Sequence, residues 1–215
     1  PDGQRHWVSA DRMAGLGHAR LSIIDLTTGD QPIANEDGRL RLVVNGEFYG
    51  YEAIQRDLEA RGHRLRTRSD SEIALHLYEE VGPQCLHHLR GEFAIVLWDE
   101  ARRTMFAARD RFGIKPLFYA WHQDTLYFAS EAKALFAAGV PARWDDESVF
   151  NAVAFGGHQV RTLFDGVHQI PPGHEREKPG RDGGDRQGRC CGCRGQRNAA
   201  PHRRDSHGAA IRRRF

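Results

Sequence analysis

The chain holds 215 residues, with 31 Lys and Arg against 29 Asp and Glu for a formal net charge of +2, and 40% of its residues are hydrophobic. That length suits one domain, or one domain and an appendage, with a sizeable core, and no apolar run approaches the roughly 18 residues that a membrane span needs. One cysteine, Cys85, lies in a helical pattern and three crowd at Cys190, Cys191 and Cys193, which excludes a disulfide framework for the core; with no signal peptide read ahead of the domain, the expected location is the cytoplasm.

The chain opens at Pro1 in the turn-like "PDGQRHW", with no initiator Met, so further sequence is expected upstream. "GLGHARLSIID" reads as a strand ending near Asp25, and "TTGDQPIANEDG" as loop and turn. "RLRLVVNG" is the next strand. Asn-Gly between apolar runs is the strongest short-range hairpin signal, yet Gly50 follows Glu47, Phe48 and Tyr49 at once and leaves too short a return strand. From Tyr51 the apolar positions Tyr51, Ile54 and Leu58 take one helix face, with Gly62 as its stop. Asn45 and Gly46 are therefore expected where a strand gives way to a loop that enters a helix, a junction that exposes side chains and backbone N–H groups.

"HRLRTR" alternates as a short strand, and "SDSEIALHLYEEVG" reads as a helix with a capping box, Ser69 at the N-cap and Glu72 three residues on. "PQCLHHLRG" is a shorter helix in which Cys85 reads as a buried structural thiol. "EFAIVLWDEARRTMFAARD" is the clearest hairpin, turning across residues 99–103, and "LFYAWHQDTLYFAS" repeats the arrangement with a turn at 122–124. "EAKALFAAG" and "DDESVFNAVAFGG" read as helices, and "TLFDGVHQIPPGH" as a last small hairpin with Asp-Gly at its turn. Strands and helices are segregated rather than strictly alternating, so the class is α+β with antiparallel sheets.

The two ends differ in composition. Residues 175–215 hold 11 Arg and 1 Lys against 5 acidic residues, net +7, which leaves −5 for the first 174. Only Ile211 and Phe215 in that stretch come from the Leu, Ile, Val and Phe set, too little apolar surface to offset the entropy of ordering, so residues 175–215 are expected to form a basic, Gly- and Arg-rich disordered tail. Cys190, Cys193, His202 and His207 have zinc-ligand types, but the middle spacer of eight is shorter than the about 12 of common fingers. The tail's charge could meet nucleic-acid phosphates, yet apart from Phe215 it lacks aromatics to stack on bases, so nucleic-acid binding is not the favoured reading. No metal ligands are assigned.

Three polar positions fall at strand or helix ends: Arg20, the pair Asn45 and Gly46, and Asp70. Each singly has an ordinary structural explanation, a solvated edge residue or an acid on a helix dipole. Together they fit a free amino acid, which needs a bidentate cation for its α-carboxylate, a carboxylate for its α-ammonium and donors for a side-chain carbonyl.

The runs "RLSIIDL", "QPIANEDG", "VVNGEFY", "RSDSEIALHLYEE", "LRGEFAIVLWD", "ARDRFGIKPLFY" and "FASEAKALF", in that order up to about His174, resemble the glutaminase domain of the glutamine-hydrolysing asparagine synthetases. The resemblance implies a class II glutamine amidotransferase domain over residues 1–174, incomplete at its start, with the four-layer α/β/β/α sandwich of N-terminal-nucleophile hydrolases. It implies that an N-terminal Cys thiolate attacks the side-chain amide of glutamine, and that a tetrahedral oxyanion collapses to a glutamyl thioester with release of ammonia. By the family motif Asn45, through its side-chain amide, and Gly46, through its N–H, are the oxyanion donors. Arg20 would hold the α-carboxylate and Asp70 the α-ammonium, with Glu47 and the backbone around Ile23 and Ile24 completing the pocket. In intact family members the ammonia reaches a synthetase domain that uses ATP and Mg to adenylate and amidate aspartate; no cofactor is implied for this chain itself, and a homodimer is one assembly the family allows.

Some positions depart from the family. Its nucleophilic Cys belongs to a segment upstream of the motif that Pro1, Asp2 and Gly3 match, so this chain alone is expected to be inactive in glutamine hydrolysis. Gly50 stands where the family has Asn, and the similarity stops at "IPPGH", ahead of the synthetase domain. The abrupt change near residue 175 is read as a frameshift or a misread end. The competing readings are a non-catalytic amino-acid-binding module, a nucleic-acid-docking module through the tail, and an amidotransferase with a different ammonia acceptor.

Overall fold

The computed structural model describes residues 3–20, 29–156, 161–179 and 210–213, with side chains left out at Arg20, Pro179 and 210–213. Among these residues every paired strand is antiparallel, in three sheets. The largest is built on the two strands that the sequence marks most strongly, β4 (Leu40–Phe48) and β5 (Gly91–Asp99). They pair at all nine positions, from Leu40 opposite Asp99 to Phe48 opposite Gly91. β6 (Thr104–Arg109) and β10 (His174–Pro179) continue the sheet on one side and the two-residue β3 (Ile33–Ala34) on the other, with β11 (Ala210–Arg213) beside β10.

Period-two alternation assigns the two faces of this sheet. Leu42, Val44, Phe48, Phe93, Ile95, Leu97, Phe106 and Ala108 pack on one face against Leu58 of α1 (Tyr51–Ala60) and Ile73, Leu75 and Leu77 of α2 (Glu72–Val81). A short 3₁₀ helix, Gly82–His87, adds Cys85 and Leu86 to that core. The other face presents Ala94, Val96, Trp98 and Ala107 to Leu16, Leu117, Tyr119 and Ile170. Its cover is two small sheets: β1 (Gly3–Val8) with β2 (Gly15–Arg20), and β7 (Phe118–His122) flanked by β8 (Thr125–Ala129) and β9 (Val167–Gln169). The far face of β7, at Ala120, packs on Leu135 of α3 (Ala132–Ala137). The order helix, sheet, sheet, helix is the expected four-layer sandwich. α4 (Asp146–Phe155) follows, its N-cap Asp145 accepting from the Ser148 N–H at 3.0 Å. No helix among the described residues is long and apolar enough to cross a membrane.

Several local expectations give way. Residues 3–8 form β1, paired with β2, instead of a turn-like start. β4 runs through Asn45 and Gly46 to Phe48, because β5 offers a partner at each position, so that pair is a strand interior and not a strand end. "HRLRTR" forms no strand: the N–H groups of Arg66 and Thr67 go to the Glu72 carboxylate, at 2.8 and 2.7 Å. The same bonds undo the capping box, since Glu72 reaches these residues and not Ser69, and helix α2 begins at Glu72 after Ser71. The last small hairpin is reduced to a bridge between Arg161 and His168, with β9 pairing to β7 instead.

The domain also extends past the expected boundary at 174. β10 carries the sheet to Pro179, and residues 210–213 of the expected disordered tail have a strand path beside it. Glu175 and Arg176 are buried at 1% exposure. The Arg176 guanidinium lies over the Tyr119 ring at 4.2 Å and the Lys178 ammonium over Trp121 at 4.7 Å, so cation–π contacts stand where apolar side chains would pack between the sheets. The Cys190, Cys193, His202 and His207 set lies outside the described residues.

Candidate functional site

The C-terminal half of β4 is where the sheet becomes accessible. Leu42, Val44 and Phe48 face the helices, which turns Asn45 and Glu47 to the opposite face with Val43, and Asn45, Gly46 and Glu47 are exposed after five positions of partial or full burial. Gly46 sits opposite Phe93 with φ 136°, and a Cβ there would come 1.9 Å from the Glu92 carbonyl oxygen and 2.8 Å from the Phe93 Cα. Gly91, opposite Phe48 with φ 153°, is crowded in the same way, 2.1 Å from the Glu47 carbonyl oxygen. Only glycine at these two positions allows the strands to approach as they do.

Asp70 reaches this strand from the loop ahead of α2. Its Oδ2 accepts the Phe48 N–H at 2.6 Å and its Oδ1 the Ser69 hydroxyl at 3.3 Å, and the Ser71 N–H also donates to the carboxylate. The side chain is buried at 3% exposure. Burial raises its pKa above the ordinary aspartate value; the three donors work against that, and the charge of Glu47 adds to it. All three donors are neutral, so no cation among the bonds described offsets the carboxylate's charge, and its remaining acceptor capacity suits a cationic partner.

Glu47 faces Glu92 across the strands, and Lys115 Nζ lies 3.6 Å from Glu92 Oε2. Lys115 is held there by a buried turn. The fully buried Asp110 accepts the N–H groups of Phe112, Ile114 and Lys115 at 2.9, 3.1 and 3.1 Å, and its own N–H donates to the Phe93 carbonyl at 2.8 Å. The Arg109 guanidinium donates to the carbonyls of Lys115 at 2.7 Å and Ile170 at 3.0 Å. The "RDRFGIK" loop is thus fixed directly beyond the residue that opposes Gly46.

Of the positions singled out in the sequence, the structure brings Asn45, Gly46, Glu47 and Asp70 together through the Asp70 to Phe48 bond. Arg20 ends β2, which packs against β4; its side chain, with Ile23 and Ile24, lies outside the described residues. Sequence reasoning missed Gly91, Glu92 and the Asp110 turn, of which only the turn left a local signal, an Asp two residues before Phe112-Gly113.

The family description "Glutamine amidotransferase domain" matches residues 1–183. The chain is 44% identical over 175 residues to "Amidase chry2" of Gibberella zeae, covering 81% of this chain and 26% of that protein. It is 36% identical over 179 residues to "Asparagine synthetase [glutamine-hydrolyzing] 3" of Bacillus subtilis, covering 81% of this chain and 29% of the relative. The chain therefore spans just over a quarter of the length of these relatives. A solved glutamine phosphoribosylpyrophosphate amidotransferase from B. subtilis superposes over 93% of this chain and 34% of its own, with a TM-score of 0.54 at 19% identity, which establishes likeness of fold.

Proposed function

The chain belongs to the glutamine amidotransferase domain family, and from that premise we propose that it binds glutamine and serves as the ammonia-releasing part of a longer, ATP-dependent enzyme. The observation that carries the reading is the 2.6 Å bond from the Phe48 N–H to Asp70, which sets a buried carboxylate one residue beyond the exposed run Asn45, Gly46 and Glu47. Asp70 receives the α-ammonium of glutamine, replacing the solvation lost on burial with a charge-assisted bond. By the family motif the partner of the α-carboxylate is Arg20, and Ile23 and Ile24 contribute backbone contacts to the glutamine; the Arg20 side chain and both isoleucines lie outside the described residues.

The side-chain amide of the bound glutamine then lies toward Asn45. When a thiolate from the upstream segment attacks its carbonyl carbon, the Asn45 side-chain amide and the Gly46 N–H donate to the oxygen as charge develops on it. Because Gly46 is held in a fully paired strand, its N–H needs no reorganisation during the reaction. Release of ammonia leaves a glutamyl thioester for water to hydrolyse.

The acceptor we propose is aspartate, amidated in a further domain with ATP and Mg²⁺, in line with the relatives named asparagine synthetases. A different acceptor is the second reading, favoured by the 44% identity to proteins named amidases.

The test is thermal stability with and without glutamine. The wild type is expected to melt higher with glutamine, and Asp70→Asn, which keeps an acceptor for the Phe48 N–H but loses the charge, is expected to show no such rise. Equal rises in both proteins, or none in the wild type, would count against the assignment.

A further inference from the structure

At the opposite end of α2 from the candidate site, four donors from three segments meet. Glu36 lies in the turn between β3 and β4, His63 in the stretch after α1, and His76 and Glu79 lie one turn apart on α2. One ligand atom from each falls within 4.8 Å of every other. His63 Nδ1 is 3.7 Å from Glu36 Oε1 and 3.8 Å from Glu79 Oε2; His76 Nδ1 is 3.6 Å from Glu36 Oε2 and 3.5 Å from Glu79 Oε2. A tetrahedral zinc site with bonds of about 2.0–2.1 Å has ligand-to-ligand edges of about 3.3–3.4 Å; the four nitrogen-to-oxygen distances lie a few tenths of an ångström above that figure, and the whole set, within 4.8 Å, would draw in around an ion.

The orientation of the two imidazoles is the second observation. Each has its Nε2 at an outer carboxylate, His63 at Glu80 (3.3 Å) and His76 at Glu72 (3.4 Å). Glu72 is itself fixed by the N–H groups of Arg66 and Thr67 and by the Thr67 hydroxyl. Among the inner carboxylates, Glu36 is held by the Arg64 N–H at 2.8 Å and Glu79 by the Asn35 amide at 3.1 Å. Such outer partners fix a ligand histidine's tautomer, with the proton on the far nitrogen and the lone pair toward the metal. In that tautomer Nδ1 of each ring turns a lone pair toward carboxylate oxygens, an arrangement that a cation between them would satisfy. His76 is fully buried, and its Nδ1 has no hydrogen-bond partner. The ring centroids lie 4.8 Å apart, too close for two protonated rings to share the space without repulsion.

We propose that Glu36, His63, His76 and Glu79 form a binding site for one divalent transition metal of the zinc class. The site is open to solvent on the side of Glu36 and Glu79, which gives the ion a path, and closed on the side of His76. Occupancy would tie the β3–β4 turn and the end of α1 to α2. The sequence reading assigned no metal ligands: only His76 and Glu79 stand close in the chain, three residues apart on α2, while Glu36 and His63 come from separate segments 27 residues apart and 13 or more from His76. The inference is independent of the glutamine reading.

The test uses the whole chain with Cys190→Ser, Cys191→Ser and Cys193→Ser, so that thiols of the tail do not compete. Metal-stripped protein is titrated with Zn²⁺ and, as a spectroscopic probe, Co²⁺. The expected result is one equivalent bound, a higher melting temperature with Zn²⁺ but not with Mg²⁺, and visible Co²⁺ bands of a four-coordinate nitrogen and oxygen site. His63→Gln and Glu79→Gln, the first at a partly buried position and the second at an exposed one, should each abolish the bands while keeping the fold by circular dichroism; Glu80→Gln should keep them and weaken affinity about 10–100-fold. No thermal shift and no bands in the parent protein, or bands unchanged in both ligand variants, would overturn the site.

Discussion

Asp70 Oδ2 stands 2.6 Å from the Phe48 nitrogen, so one carboxylate both fastens the end of β4 and faces the candidate glutamine pocket. The two duties separate by substitution. Asp70→Ala leaves the buried Phe48 N–H without a partner and should cost about 1–3 kcal/mol in urea denaturation, whereas Asp70→Asn should cost less. Both should lose a charge-assisted bond to glutamine, about 1.5–3 kcal/mol or roughly 10–150-fold in affinity by calorimetry.

The protonation of Asp70 gives a pH signature. Burial raises its folded pKa above the unfolded value, so its contribution to stability is present below the ordinary aspartate pKa and is lost as pH rises through the raised one. Glutamine binding needs the ionised form, so affinity should climb as pH rises through that same range. Asp70→Asn should flatten the climb, and an identical climb in the variant would remove Asp70 from the binding site.

Gly46 and Asn45 are neighbours with opposite demands. Gly46→Ala drives a Cβ to 1.9 Å from the Glu92 carbonyl oxygen, a clash of backbone with backbone that no rotamer relieves. Strain of this kind costs on the order of 1–3 kcal/mol for the dihedral alone, and the urea midpoint should fall by more than that implies. Asn45→Ala, exposed on the same strand, should stay within about 0.5 kcal/mol of the parent stability. In the protein carrying its upstream thiol, the same change should lower kcat for glutamine hydrolysis about 10²–10³-fold.

Asp11, in the turn between β1 and β2, has its pKa lowered to about 2, first by the Ser9 hydroxyl, then by the Met13 N–H and Arg103. A lowered carboxylate contributes stability above its unfolded value, and that contribution fades as pH falls through the folded one. Between about pH 4 and pH 2 the parent should therefore lose more stability than Asp11→Asn, measured by urea midpoints at each pH.

Phe106 and Phe112 are six residues apart and differ in every respect that matters to stability. Phe106 is fully buried, its ring 5.2 Å from Tyr78, and Phe106→Ala should cost about 3–5 kcal/mol. Phe112 is 78% exposed, and its replacement by Ala should change little, within about 0.5 kcal/mol.

What the sequence made legible follows the strength of its periodicity. "EFAIVLWD" has apolar residues on both faces, as a strand covered on both sides requires, and it is the centre of the largest sheet. Tyr51, Ile54 and Leu58 do line the packed face of α1. "HRLRTR" alternates equally well, but Leu65 alone packs on the core while the neighbouring N–H groups serve Glu72, a tertiary use that no local pattern announces. β10 was hidden for the converse reason: His-Glu-Arg-Glu-Lys-Pro looks solvated until aromatic rings of β7 supply partners for its cations. Asn45 and Gly46 were found by resemblance, and Asp70 gained its place only through a backbone bond to a residue 22 positions away.

The complete pairing of β4 with β5 bears on how this region moves. Amide exchange at those N–H groups of residues 40–48 that pair with β5 should require opening of the sheet that also anchors the main core, so the strand that carries the proposed oxyanion donors belongs to the slowest-exchanging part of the molecule. Any closure around a bound amino acid must then come from the segments that approach β4, and the strand itself serves as the fixed surface onto which they close.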